Sequence, residues 1–358
     1  MKRGIYILLL LFAFAACEEI YRPDLEQVDN MLVIEAMLRA DKDVNNIYLY
    51  KSRNFNDPDV SYPRVGGATV FLIDSEGYTL NCPETSKGMY TLFGRLDPQR
   101  SYQLVIDLDG DRYVSEMQQV PEQPALDSVY GERAYKVSID GTASSSEAIE
   151  KEYGIQMFSD MQQRGTLSHY RFYGRKVIQY LDTYDTVVMG MPETRPIYIW
   201  RSIYPKGIFN IAGPPEYSTE KNISKHPLEF FENGYHKYMP DTMSFMGWVY
   251  IIDEFGINED SYNYYKDLNQ QLGAEGRIFD PVYIQLEGNI KCETDPGKEV
   301  LGNFEITTYS ESRYFIFYNR AQEAFHVHKI KYFYDIPLRG YVKDIMPDFW
   351  EYINKQYP

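Results

Sequence analysis

The stretch Tyr102-Gln103-Leu104-Val105-Ile106-Asp107-Leu108-Asp109-Gly110-Asp111-Arg112-Tyr113-Val114 sets the fold class of this chain. Tyr102, Leu104 and Ile106 recur at every second residue, the period of a strand with one face buried. Asp109-Gly110 then supplies the positive φ of a tight hairpin turn, and a second strand follows at once. Working outward, the same alternation predicts strands over residues 32–38, 46–52, 67–74, 78–81, 88–92, 102–107 and 112–117, with turn residues between them. In the third of these, Ala68, Val70 and Leu72 face one way and Thr69, Phe71 and Ile73 the other. Seven short strands without an intervening helix predict an antiparallel β-sandwich over residues 31–120.

Pro121 and Pro124 bracket a polar stretch where the alternation stops, which places a domain boundary there. Residues 125–358 read as a second, mainly β domain, with strands near 153–158, 169–180, 245–252, 281–287, 300–307 and 314–318. One helix interrupts them. Residues 258–261 offer capping side chains, Tyr265, Leu268 and Leu272 fall on one face, and Gly273 ends the run. Residues 182–225, rich in Pro, Gly and Tyr, read as a long functional loop. Its Tyr198, Trp200, Tyr204 and Tyr217 are the candidate contacts for a partner or ligand, because such side chains often anchor interfaces.

The N-terminus carries a different message. Lys2 and Arg3, an apolar run from Ile5 to Phe14 and the small pair Ala15-Ala16 have the layout of an export signal over residues 1–16. The apolar run is about half of the ~20 residues that a membrane-spanning helix needs. Phe14-Ala15-Ala16-Cys17 resembles the bacterial lipobox, which implies lipid on Cys17 and a tether over residues 17–30. The acidic pair Glu18-Glu19 resembles the signal that sends Bacteroidetes lipoproteins to the outer face of the outer membrane. The expected location is therefore the outer membrane, facing the cell exterior.

Composition narrows the rest. With 44% hydrophobic residues, the 358-residue chain can bury two cores, which excludes a largely disordered protein. A formal net charge of −16 and the lack of any basic run argue against nucleic acid as a partner. Beyond Cys17 there are only Cys82 and Cys292, too few for a disulfide scaffold and read as two buried thiols. The 34 tyrosines suit both cross-strand packing and wet binding faces, so their number alone locates no site.

Two resemblances follow. Gly66-Gly67-Ala68-Thr69-Val70, the turn at 74–77, Gly88-Met89-Tyr90 and Tyr102-Gln103-Leu104 resemble immunoglobulin-like, transthyretin-like or carboxypeptidase-regulatory-like modules, which usually serve as spacers or adaptors. In the second half, Tyr264-Tyr265, Phe279-Asp280-Pro281, Gly288-Asn289-Ile290, Val300-Leu301-Gly302-Asn303-Phe304 and, upstream, Phe231-Glu232-Asn233-Gly234 resemble an uncharacterised Bacteroidetes outer-membrane lipoprotein family. Its members carry a domain of unknown function and are commonly encoded beside SusC-like TonB-dependent receptors. The resemblance implies such a receptor as partner. It carries no catalytic or ligand residues with it.

Chemical motifs are scarce. No Gly-x-Ser-x-Gly elbow, His-Glu-x-x-His helix, phosphate-binding glycine loop or Cys-x-x-Cys pair occurs. Asp107, Asp109 and Asp111 alternate as calcium ligands would, but the turn already explains them. His226, Glu229, Glu232 and His236 are interrupted by Asn233-Gly234, and His326 and His328 share one side of a strand; neither set is assigned a metal. Asp253 and Glu254 are adjacent, so on a strand they point to opposite faces and cannot flank one glycosidic bond. Asp127-Ser128-Val129, Asp185-Thr186-Val187 and Asp241-Thr242-Met243 resemble short O-glycosylation sites. The reading is a non-enzymatic accessory or substrate-capturing subunit of a TonB-dependent transporter, without cofactor. The alternatives are a surface hydrolase acting on glycans or peptides and an adhesion or envelope-assembly component.

Overall fold

The computed structural model describes residues 31–53, 62–139, 149–205, 209–215, 219, 221–232, 244–273, 286, 288–319, 324–329 and 341–342. Strands dominate, and they form two sandwiches that share one strand. In order these are β1 (Leu32–Arg39), β2 (Val44–Lys51), β3 (Thr69–Asp74), β4 (Thr79–Cys82), β5 (Glu84–Ser86), β6 (Met89–Phe93), β7 (Ser101–Leu108), β8 (Asp111–Ser115) and β9 (Gln118–Gln119). Then come β10 (Ser128–Ile139), β11 (Ile149–Met161), β12 (His169–Val188), β13 (Met191–Ile203), β14 (Asn210–Ala212), β15 (Ile223–Glu232) and β16 (Ser244–Ile257). Helix α1 (Glu259–Gly273) precedes β17 (Ile290–Cys292), β18 (Val300–Asn319), β19 (Ala324–Lys329) and β20 (Tyr341–Val342).

All seven strands expected in the first domain form. Between β7 and β8, Asp109 and Gly110 have φ of 52° and 89°, and Leu108 pairs with Asp111, the geometry of a two-residue primed turn. Val70 and Leu72 are buried, with Ala68 packed against the same core. Glu84 holds the glycine turns together, accepting hydrogen bonds from the N–H groups of Gly67 and Gly88 at 2.9 Å each. Those bonds keep its carboxyl below the usual range.

The sandwich is closed by strands from the far end of the chain. One sheet runs β17-β8-β7-β3-β4, and the other continues from β18 through β1, β2, β6 and β5. β18 lies parallel to β1, from Leu32 opposite Val300 to Arg39 opposite Thr307. A division at residues 120–125 therefore leaves out 290–307, whose Ile290, Cys292, Phe304 and Ile306 sit in one core with Ile34, Leu72 and Leu104. The physical reason is that parallel strands need a long crossover and leave no turn signal between them.

Two of the motifs that carry the second resemblance, 288–290 and 300–304, make this junction, while residues 279–281 and 233–234 of the others lie outside the described residues. Asn289 is buried and clamps Phe304, donating to its carbonyl and accepting from its N–H, both at 2.8 Å. A Cβ on Gly302 would lie 1.9 Å from the Ile34 carbonyl oxygen, and one on Gly288 would lie 1.7 Å from that of Gly302. Both positions therefore require glycine for close backbone approach, and Gly302 also has φ of 109°. The proline-bracketed segment is tied to the same strand: the Thr308 hydroxyl donates to the Glu122 carbonyl at 2.8 Å and that of Ser310 to Pro124 at 2.9 Å.

Past Thr307, β18 changes partner and pairs antiparallel with β16, from Gly256 opposite Thr308 to Trp248 opposite Ile316. The three-stranded sheet β10-β11-β15 packs on this half, burying Met157 and Phe231 against Tyr170, Trp248, Tyr250 and Ile316. Where the sandwiches meet, Arg171 of β12 reaches Glu305 of β18 at 3.2 Å, and both are buried. The guanidinium also stacks over Phe255 at 4.4 Å and Tyr265 of α1 at 5.0 Å. Asn258, expected to cap α1, instead donates to the Gln118 side chain and the Gln119 carbonyl at 2.9 Å each, which docks the helix on the first sandwich. Tyr265 is buried as the helical pattern predicts, whereas Leu272 is 56% exposed and lies off the packed face.

One expectation is corrected outright. Residues 182–203 are not loop. All of β13 pairs along β12, from Val188 opposite Met191 to Lys176 opposite Ile203, through a turn in which Met189 and Gly190 have φ of 51° and 81°. Pro192 and Pro196 concealed the strand, yet proline is tolerated where one edge of a strand is largely unpaired. Among the described residues β16 pairs with β12 as far as Leu181, and the β12–β13 hairpin continues beyond it as a ribbon. Its tip exposes Val187, Met189 and Met191, with Met189 97% accessible. β12 and β18 both run opposite to β16, so this tip lies at the far end of the long axis from Leu32.

Candidate functional site

β12 changes partner along one edge. Tyr170 to Phe172 pair with β14 and Lys176 onward with β13, which leaves the ladder open between them. β13 ends at Ile203 and β14 begins at Asn210. A cleft of about 940 Å³ lies beside this break. It is lined by Lys176, the end of β13 with Tyr204 and Pro205, residues 209–211, residues 226–229 of β15 and Asn269 of α1. Its size is that of small-molecule sites. Gly174 in the open segment leaves the space that Tyr250 fills, since a Cβ there would lie 2.4 Å from the Tyr250 hydroxyl.

The polar groups of the cleft hold one another in fixed orientations. Asn210 donates from Nδ2 to the carbonyls of Pro227 and Leu228, both at 3.1 Å. That orientation turns its Oδ1 towards His226, whose Nε2 lies 2.6 Å away. Nε2 is therefore the protonated nitrogen, and Nδ1 keeps a lone pair. Burial pushes the His226 imidazole down to about 4, so it is neutral at physiological pH. Its ring packs on Phe172 at 5.5 Å.

Lys176 closes the other side of the cleft. Its Nζ lies 3.3 Å from Glu229 Oε1 and 3.3 Å from the Phe230 carbonyl. The ammonium also sits over the rings of Phe231 and Trp248, at 5.5 and 5.9 Å. Asn269 clamps Phe209, accepting from its N–H at 2.7 Å and donating to its carbonyl at 2.8 Å. Phe209 in turn packs on Tyr265 at 4.8 Å. The carbonyls of Pro227, Leu228 and Phe230 thus accept hydrogen bonds from side chains that face the cleft.

The residues singled out in the sequence are distributed as follows. Tyr204 is 53% exposed and lines the cleft. The backbones of Tyr198 and Trp200 pair with Leu181 and Gln179 within the hairpin. Tyr217, Cys17, Glu18 and Glu19 lie outside the described residues. His226, Glu229 and Glu232 lie on one strand, His236 falls outside, and among the described residues no three His, Cys, Asp or Glu side chains converge as metal ligands would. His326 and His328 stack in a ladder on Phe317, at 5.0 and 5.7 Å.

Asp107 pairs with Arg112 at 2.7 Å and Asp111 with Lys298, so two of the three alternating aspartates have protein cations as partners. Asp253 accepts from the Tyr309 hydroxyl at 2.7 Å, while fully buried Glu254 accepts from Ser310 at 2.8 Å on the opposite face. Burial raises both carboxyls. Cys82 and Cys292 are free and buried, on β4 and β17 at opposite edges of their sheet. Four strand spacings separate them by about 19 Å, far beyond disulfide reach. The Ser128 hydroxyl is bonded to Asp160 at 2.7 Å, Thr186 lies on the ribbon, and residues 241–243 lie outside the described residues. Among the described residues, no helix is long and apolar enough to cross a membrane.

Lys176, Phe209, Asn210 and Asn269 carry no local signal in the sequence, because three separate elements, β12, β14 with the residue before it, and α1, bring them together. Comparison with known proteins finds no match among curated proteins and none among solved structures. Residues 18–313 match a family model described as a domain of unknown function, DUF4249. That span includes both the Asn289–Phe304 junction and the cleft, and the chain belongs to the DUF4249 family.

Proposed function

We propose that this chain is a surface-exposed outer-membrane lipoprotein, anchored through Cys17, that captures a ligand for a SusC-like TonB-dependent transporter. The observation that carries the capturing role is the cleft of about 940 Å³ at the break in the β12 ladder. Its polar groups are oriented by protein partners before any ligand arrives, which lowers the cost of binding. In this reading the first sandwich is the spacer next to the lipid, and the ribbon tip at the opposite end is free to meet the partner. A lipid-held protein shares a membrane with its transporter, so a modest contact face suffices for a lasting complex. The hydrolase alternative has less support, because Asp253 and Glu254 face opposite sides of their sheet and His226 is engaged by Asn210.

The test is recovery of the receptor from native membranes. Purification in mild detergent should bring down a TonB-dependent receptor with the tagged lipoprotein, and Cys17→Ala should abolish both membrane retention and recovery. A processed Cys17→Ala protein that still partitions with outer membranes removes the anchor. Cross-linking in intact cells that yields no such receptor removes the transporter role.

A further inference from the structure

The cleft can be read further than its size, on the premise that it is where ligand is captured. Three features restrict what enters it. The first is backbone. An extended peptide joins a sheet edge through carbonyl and N–H groups. On β15 the carbonyls of Pro227, Leu228 and Phe230 are already taken by Asn210 and Lys176. Strand addition would have to break these bonds, so a peptide backbone has little to gain here.

The second feature is charge. Among the described residues Lys176 is the one Lys or Arg lining the cleft and Glu229 the one carboxylate, and they pair with each other at 3.3 Å. An anionic ligand would have to compete with Glu229 for that ammonium, against a chain of net charge −16. A cationic ligand would meet the Lys176 ammonium beside Glu229. Either way a half-buried pair is broken for no net gain.

The third is what stays unused. His226 Nδ1 is left as an acceptor by the bond that Nε2 makes to Asn210, and Glu229 Oε2 has no partner among the described residues. Ser202 and Tyr204 add hydroxyls, and Tyr204, Pro205 and Phe209 add flat or apolar surface. Two fixed acceptors call for ligand donors, and the apolar surface calls for C–H groups on the same molecule.

We propose that the cleft binds a neutral, hydroxyl-rich ring ligand, a saccharide, with Tyr204 and Phe209 against its C–H face and His226 Nδ1 and Glu229 Oε2 accepting from its hydroxyls. An uncharged sugar supplies both donors and apolar faces while leaving the Lys176–Glu229 pair intact.

Calorimetric titration of the full-length protein in detergent tests this. The neutral probes are maltoheptaose, cellohexaose and xylohexaose; the contrasts are hexagalacturonate and an extended Val-Thr hexapeptide. At least one neutral oligosaccharide should bind with a Kd of about 1 mM or tighter. Tyr204→Ala, at a half-exposed position, should keep the wild-type melting temperature and weaken binding about tenfold, and Glu229→Gln should weaken it at least as much. Neutral-sugar binding that both variants leave unchanged overturns the proposal. Binding of only hexagalacturonate or peptide, weakened by Tyr204→Ala, overturns the ligand class and leaves the cleft as a capture site. If no probe binds, both fall.

Discussion

The two sandwiches are built from the same kind of strand and differ in how their edges are treated. In the first, short strands are joined by tight turns, and its last openings are filled by β17 and the start of β18. In the second, long strands run past one another, a ribbon projects, and the edge of β15 beside the cleft is capped by the side chains of Asn210 and Lys176. All five histidines of the chain lie beyond residue 168, outside the first sandwich's own strands. A strand edge closed by another strand gives a rigid support. An edge closed by side chains leaves a cleft whose chemistry those side chains decide.

The largest expected effect falls on the strand that both regions share. Glu305→Ala leaves the Arg171 guanidinium buried without its carboxylate, and should destabilise the protein by about 3–5 kcal/mol. Because β18 runs through both cores, urea unfolding of the wild type should be a single transition, by tryptophan fluorescence and circular dichroism alike. Two separate transitions would mean that the sandwiches fold independently and that the shared strand does not couple them.

Acid should separate the two regions next. Folded His226 takes up a proton only near pH 4, whereas the unfolded chain does so near 6.5. Its contribution is therefore complete above about pH 6.5 and is lost as pH falls to about 4, on the order of 3 kcal/mol in all. Burial lowers His169 in the same sense. Urea midpoints measured at pH 7 and pH 5 should fall less in His226→Gln than in wild type, and an equal fall would place the acid sensitivity elsewhere.

In the first sandwich a smaller change is expected at the turn that sets its hairpin. Gly110 has φ of 89°, so Gly110→Ala should cost about 1 kcal/mol, read as a lower urea midpoint with an unchanged slope. An unaltered midpoint would show that the hairpin tolerates another turn. The smallest effect belongs to the ribbon tip. Met189 is 97% exposed, so Met189→Asp should change stability by no more than about 0.5 kcal/mol. The same variant should weaken receptor recovery from native membranes, and full recovery would free the tip of any docking role.

The hairpin of β7 and β8 was legible because its causes are local: alternating apolar residues and an Asp-Gly turn within a dozen positions. The β12–β13 hairpin has equally local pairing, but Pro192 and Pro196 and the charged residues between them obscured the alternation. Of the cleft, only Tyr204 was singled out as a contact and His226 and Glu229 as polar residues to which no metal was assigned; their partners are an asparagine and a lysine. Lys176, Asn210 and Asn269 look like ordinary surface residues in sequence.

The linear order of residues was enough to determine a mainly β chain, seven strands of the first sandwich, the turn at Asp109-Gly110 and the family, since each rests on short-range periodicity or on ordered motifs. Only the tertiary structure decided that residues 290–307 complete the first sandwich, that Arg171 meets Glu305, and that β12, β13, β14, β15 and α1 enclose a cleft. Such pairings join positions up to 268 residues apart, as Leu32 and Val300 are, and no local rule can specify them. They are selected by which apolar faces can be buried together and which strand edges can be satisfied once the whole chain has collapsed.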